Sequence, residues 1–223
     1  MNFRKTAAFA AALLTLAFTA WGQAQQPFQV LSPSQPPEGG GKVEVVEFFW
    51  HGCPHCYSLE ADVNAWLKKL PPDVVFKRVH ASPNEAWAES ARIYYTLEAM
   101  GLLEQYHGKV FDAFHKESQN LANKRIREEW MKTNGIDLAK YRDVEKSFTV
   151  VTKMQRAKQM TVDYKVDGVP RVFVNGKYYT APEFAGGSSR VFQVVDQLVA
   201  QARSEQAAAA PAAAATKPVA AKK

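Results

Sequence analysis

The chain holds only two cysteines in 223 residues. That scarcity excludes a disulfide framework, an all-cysteine zinc cage and a cysteine-ligated iron–sulfur cluster. Long apolar runs are also scarce. The one near the start, Ala7 to Ala20, spans about 14 residues, short for a bilayer crossing. Excess charge of one sign is missing from the body of the chain. The formal +6 falls to +4 without Arg4 and Lys5, and to +1 without Lys217, Lys222 and Lys223. A basic nucleic-acid-binding face therefore finds no support. Gly39-Gly40-Gly41 lacks the spacing and the Lys-Ser/Thr ending of a phosphate loop and reads as a flexible loop. No internal repeat is visible. The full chain is 47% hydrophobic and 22% charged, enough for one core or one domain with a large insertion.

The two ends read as separate from the fold. Arg4 and Lys5, the apolar run and the small residues Gly22 and Ala24 form a secretory signal over residues 2–24, cleaved near Ala24. That places the mature protein outside the cytosol, where disulfides persist. From about Ala207 the composition turns to Ala, Pro and Lys, and a disordered tail is expected over 207–223.

Between the ends, hydrophobic periodicity orders the elements. Val43 to Trp50 is nearly continuous in apolar residues, as in a central strand covered on both faces. Pro54 opens a helix to about Lys69, with Leu59, Val63, Trp66, Leu67 and Leu70 on one face, ended by Pro71-Pro72. Val74 to His80 is a second strand, completing a strand–helix–strand unit with a parallel crossover. Residues 84–164 hold no convincing strand and read as five helices: 85–99, 102–116, 124–133, 138–146 and 148–164. A strand resumes at Arg171–Val174, Asn175-Gly176 makes a two-residue hairpin turn, and Lys177–Thr180 returns. Ser188 starts a last helix whose Val191, Val194, Val195, Leu198, Val199 and Ala202 keep the helical period. The fold class is α/β: a sheet domain interrupted by an all-helical insertion.

Both cysteines sit where the first strand meets its helix, in Glu47-Phe48-Phe49-Trp50-His51-Gly52-Cys53-Pro54-His55-Cys56-Tyr57. Pro54 suits the first helical position, because the hydrogen it lacks has no partner there. Cys53 then takes the N-cap place, its sulfur facing free backbone N–H groups and the positive end of the helix dipole. Both favour thiolate over thiol. His55 adds positive charge or a donor, and Cys56, one turn in, is shielded beneath an exposed Cys53. Tyr57 after the second cysteine excludes a c-type haem attachment. Half a zinc site, a structural disulfide closing a very small loop and a redox-active dithiol remain, the dithiol best matched by this chemistry.

This region resembles the DsbA family, the bacterial periplasmic thiol oxidases of the thioredoxin superfamily. The likeness rests on Val46-Glu47-Phe48-Phe49, on Cys53-Pro54-His55-Cys56 with Tyr57, on Val169-Pro170, and on Phe173-Val174-Asn175-Gly176-Lys177. It covers roughly residues 28–203 and implies a thioredoxin fold with an all-helical insertion: residues 25–83 and 165–206 as the two halves, 84–164 as the insertion. It further implies a Cys53–Cys56 disulfide donated to newly exported proteins, with no metal or organic cofactor. Implied partners are reduced exported proteins and a quinone-linked membrane oxidase of the DsbB type, with the chain itself a monomer. By the same resemblance, Pro170 follows a cis peptide bond facing the dithiol, and the backbone of Val169 meets substrate. Glu47 is a buried acid relaying protons to Cys56, and Arg78, in place of a family lysine, pairs with it. Trp50, His51 and Gly52 depart from the aromatic residues common before the motif and shape the potential or the partner surface. His80, His107 and His115 are expected to be structural, the last two on helix surfaces.

Two other readings use the same residues. A disulfide isomerase or reductant uses the same fold in the opposite direction, but its dimerisation domain does not fit in the roughly 18 residues between Ala24 and Val43. A non-redox metal- or peptide-binding protein is the third.

Overall fold

A computed structural model describes residues 26–215. The expected signal over residues 2–24 lies outside them, as do residues 216–223. The chain forms β1 (Gln29–Val30), β2 (Val43–Phe49), α1 (Pro54–Leu67), β3 (Val74–His80), α2 (Glu85–Ala99), α3 (Leu103–His115), α4 (Lys124–Thr133), α5 (Leu138–Val144), α6 (Phe148–Asp163), β4 (Arg171–Val174), β5 (Tyr178–Thr180), α7 (Pro182–Ala185) and α8 (Ser188–Ala215).

One five-stranded sheet has the order β1-β5-β4-β2-β3. β2 pairs parallel with β3, as a strand–helix–strand unit requires, and antiparallel with β4. Every residue of β2 is buried. Its continuous apolar run is explained by that position: strands on both sides and packed layers on both faces. The β4–β5 hairpin turns at Asn175-Gly176, whose φ angles of 53° and 64° are the left-handed pair that a tight two-residue turn needs.

Two cores lie on the sheet. One joins Val43, Val45, Val172 and Val174 to the α1 face of Leu59, Val63 and Trp66 and to Val191, Val195 and Leu198 of α8. The other joins Val46, Phe48, Phe49 and Phe173 to Tyr94 and Tyr95 of α2, Phe111 of α3 and Ala157 of α6, and it includes both cysteines. The Met154, Ala157, Met160 and Tyr164 stripe packs here. A third core, with Ile93, Leu97, Val110, Trp130 and Tyr141, lies within the insertion. Four of the five helices of the insertion start at capping side chains: Asn84, Asn123, Asp137 and Ser147 each accept from the first turn.

One expectation changes, and one element is new. The final helix continues to Ala215, past Ala207 where disorder was expected to begin. The segment it adds is mostly alanine, the strongest helix former. The short helix α7, opened by Pro182 and closed by Gly186 in the left-handed region, has too few residues to show a period.

Candidate active site

The end of β2 delivers the chain to α1 through a tight turn. The Cys53 N–H donates to the Trp50 carbonyl at 3.0 Å, and Tyr57 N–H donates to the Cys53 carbonyl at 3.0 Å. Pro54 is the first helical residue and Cys53 the N-cap, in extended conformation. The turn also requires Gly52. A β-carbon there would lie 2.3 Å from the Trp50 ring, and that ring is stacked on Trp87 of α2 at 4.3 Å between centroids.

The two sulfurs are in the dithiol form, and their surroundings differ. Cys56 is fully buried, and burial pushes its thiol well above the ordinary range, with the neighbouring Cys53 adding to the effect. Cys53 is pulled the other way, to about 6. The adjacent Cys56 thiol is the largest cause, and the nearby backbone N–H groups of Cys56 and His55 and the exposed His55 ring add to it against the cost of burial. Cys53 was expected to be exposed, yet it is only 7% exposed. The loop before β4 covers it: Val169 presents its carbonyl oxygen 3.3 Å from the Cys53 sulfur. The Val169–Pro170 bond is cis, and Pro170 is buried. Beside the pair, His55, Val169, Pro170, Arg171 and Pro182 line a shallow cleft.

Beneath Cys56 lies a charged layer. Glu47 is completely buried, not an edge residue facing solvent. Burial raises its carboxyl to about 7 even though Arg78 opposes the shift. Arg78 Nε donates to Glu47 at 3.0 Å, and its Nη2 donates to Glu60 of α1 at 3.3 Å. Glu60 is held below its ordinary value: burial works against this, but the His107 hydrogen bond and the Arg78 charge prevail. Among the described residues, no three His, Cys, Asp or Glu side chains gather as a metal cage.

The expected placements of Cys53, Pro54, His55, Cys56, Glu47, Arg78, Val169 and Pro170 thus converge on one site. His107 does not follow its expectation. It is buried, because α3 turns Tyr106, His107, Val110 and Phe111 inward, and its ring packs against Phe49. The spacing 107, 110, 111 carried that signal. Glu60 was also missed, although it lies one helical turn after Cys56 on the same face.

Comparison with known proteins gives the family of the chain. The family model of the DSBA-like thioredoxin domain matches residues 44–199. A thiol:disulfide interchange protein DsbA from Azotobacter vinelandii is 43% identical over 166 residues, covering 74% of this chain and 78% of the relative. The protein of the same name from Bordetella parapertussis is 39% identical over 205 residues, covering 91% of this chain and 98% of its own length. The crystal structure of Pseudomonas aeruginosa DsbA superimposes with a TM-score of 0.76 at 37% identity, over 81% of this chain and 94% of that one. With the helical insertion, the split pair of sulfurs and these matches in agreement, the chain belongs to the DsbA family of thiol:disulfide oxidoreductases and has its thioredoxin fold.

Proposed function

We propose that Cys53 and Cys56 are the redox-active pair and that the protein donates their disulfide to reduced proteins arriving in the periplasm. The observation that carries this reading is the opposite tuning of two sulfurs one turn apart: Cys53 lowered to about 6, Cys56 sealed and raised. A substrate thiolate attacks the Cys53 sulfur, the Cys53–Cys56 bond breaks, and Cys56 leaves with the electron pair. Its high proton affinity draws a proton, and Glu47, buried near Cys56 with a carboxyl at about 7, is the donor. A second substrate thiol loses its proton and attacks its partner sulfur in the mixed disulfide. Cys53 then leaves as a stabilised thiolate. The substrate has lost two electrons and gained a disulfide; the enzyme has gained the electrons as a dithiol.

The cleft beside the pair is where an extended substrate strand lies, with the Val169 backbone as its nearest polar contact and Pro170 as its floor. No metal or organic group takes part. The apolar segment Ala7–Ala20 and the family together support export, with the signal removed near Ala24. Re-oxidation falls to a quinone-linked membrane oxidase of the DsbB type, and the protein works as a monomer.

The test is catalytic turnover. The disulfide form, mixed with an excess of reduced, unfolded ribonuclease and an oxidant able to recharge it, is expected to form ribonuclease disulfides far faster than the oxidant alone. If it speeds only the rearrangement of already mispaired disulfides, the isomerase reading replaces this one. If it does neither, the redox reading fails.

A further inference from the structure

Four of the five histidines gather on one side of the cysteine turn, and the proposed reaction has not yet used them. Phe49 sits among three of them, its ring 5.1 Å from His51, 5.0 Å from His80 and 5.3 Å from His107. His115 Nε2 donates to the His51 carbonyl at 2.7 Å and its ring stacks on Tyr57. The cluster joins the β2–α1 turn to α3, and so the sheet domain to the helical insertion.

Within it the hydrogen bonds have a direction. Glu60 Oε1 lies 3.3 Å from His107 Nε2. An ionised carboxylate only accepts, so His107 Nε2 carries the hydrogen and its Nδ1 is left as an acceptor. His51 Nε2 lies 3.2 Å from that Nδ1 and must be the donor. Each tautomer is thereby set by its neighbour, starting at Glu60. Arg78 continues the series on the other side, Nη2 on Glu60 and Nε on Glu47.

We propose that His107 is a positioning residue for the thiol chemistry: its Nε2–H holds the Glu60 carboxylate, so that Arg78 stays shared between Glu60 and Glu47, the acid next to Cys56, while His51 donates to the remaining His107 nitrogen. The proposal rests on the reading that Glu47 exchanges a proton with Cys56. The charged and titratable groups around Glu47 are Arg78, Glu60, Cys56 and Tyr94. Those around His107 are His51, His80, Glu60 and Arg78, with Lys68, Glu104, Lys109 and Asp112 lining the cleft that opens beside it. Among the described residues, Arg78 alone donates to both Glu47 and Glu60. When the His107 donor is lost, Glu60 is left to Arg78 alone, the guanidinium is drawn toward it, and the ionised form of Glu47 loses support.

Packing and hydrogen bonding make opposite forecasts for two substitutions. Phenylalanine keeps the ring against Phe49 and Phe111 but has no donor. Glutamine loses the ring but reaches Glu60 with its amide. The readout is the titration of Glu47 in the full dithiol protein, followed by carboxyl carbon NMR and assigned by the signal missing in Glu47→Gln. From a midpoint of about 7 in the wild type, His107→Phe is expected to move it upward by about 0.5 pH or more, and His107→Gln to leave it near 7. If His107→Phe does not fold, His107→Leu, smaller and equally without a donor, must give the upward shift. Titration of the donor-free variant at the wild-type midpoint overturns the proposal, as does a shift in His107→Gln as large as that in His107→Phe. The NMR result is independent of ribonuclease oxidation by the wild type, so a failure of the oxidase reading is recognised separately.

Discussion

Cys53→Ser is expected to reduce ribonuclease oxidation to the uncatalysed rate, a loss on the order of a thousandfold or more, while Cys56→Ala produces a different defect. Neither variant can hold the disulfide, so neither donates one. Cys56→Ala, however, keeps the Cys53 sulfur at the N-cap position, at the positive end of α1 and beside the His55 ring. It remains nucleophilic near neutral pH, although loss of the Cys56 thiol's hydrogen bond raises its pKa. It attacks substrate disulfides, and with no thiol one turn away to resolve the product, mixed disulfides accumulate. Non-reducing electrophoresis followed by mass spectrometry reads this directly: adducts on Cys53 in Cys56→Ala, and none in Cys53→Ser. Adduct formation of equal extent in Cys53→Ser, through Cys56, contradicts the account, because Cys56 is fully buried with its thiol held protonated.

Arg78→Met is expected to be the most destabilising single substitution in the charged layer. It removes the guanidinium that Glu47 and Glu60 share. Breaking a buried pair from one side leaves an uncompensated charge and costs about 3–5 kcal/mol. The cost depends on pH, with a definite sign. Glu47 titrates at about 7, above its ordinary value. Its contribution to stability is therefore fully present below the unfolded value near 4.5 and is lost as pH rises through 7. Without Arg78 the carboxyl rises further, and stability keeps falling above pH 7. Urea denaturation of wild type and Arg78→Met at pH 5 and pH 8 is expected to show the larger gap at pH 8. A gap independent of pH would mean that the guanidinium serves only to fill space.

Much of this was legible in the sequence because local and tertiary demands agree. Pro54 at the first helical position, the alternation-free run of β2, Asn175-Gly176 at the hairpin and the stripes of α1 and α8 each carry their own physical signal, and each element forms where that signal lies. The family resemblance marked Glu47 as a buried acid, and the structure gives it Arg78. The misses have a common character. The cover over Cys53 comes from Val169, far along the chain, so no local pattern reveals it. The burial of His107 depends on how α3 docks against Phe49, a tertiary event, although its spacing with Val110 and Phe111 marked the inward face. The alanine-rich end followed helix propensity where composition had pointed to disorder.

The central claim is that one sulfur leaves as a thiolate while the other keeps its proton. A redox titration of the Cys53–Cys56 pair against glutathione, repeated from pH 5 to pH 8.5, tests it most directly. With Cys53 at about 6 and Cys56 well above its ordinary value, reduction takes up two protons below pH 6 and one above it. The potential should therefore fall by about 59 mV per pH unit at the acid end and by about 30 mV per pH unit from pH 6 upward. It should also lie well above the roughly −270 mV of thioredoxin. A single slope of about 59 mV through pH 8, at a potential near thioredoxin's, would contradict both the tuning of Cys53 and the role of disulfide donor.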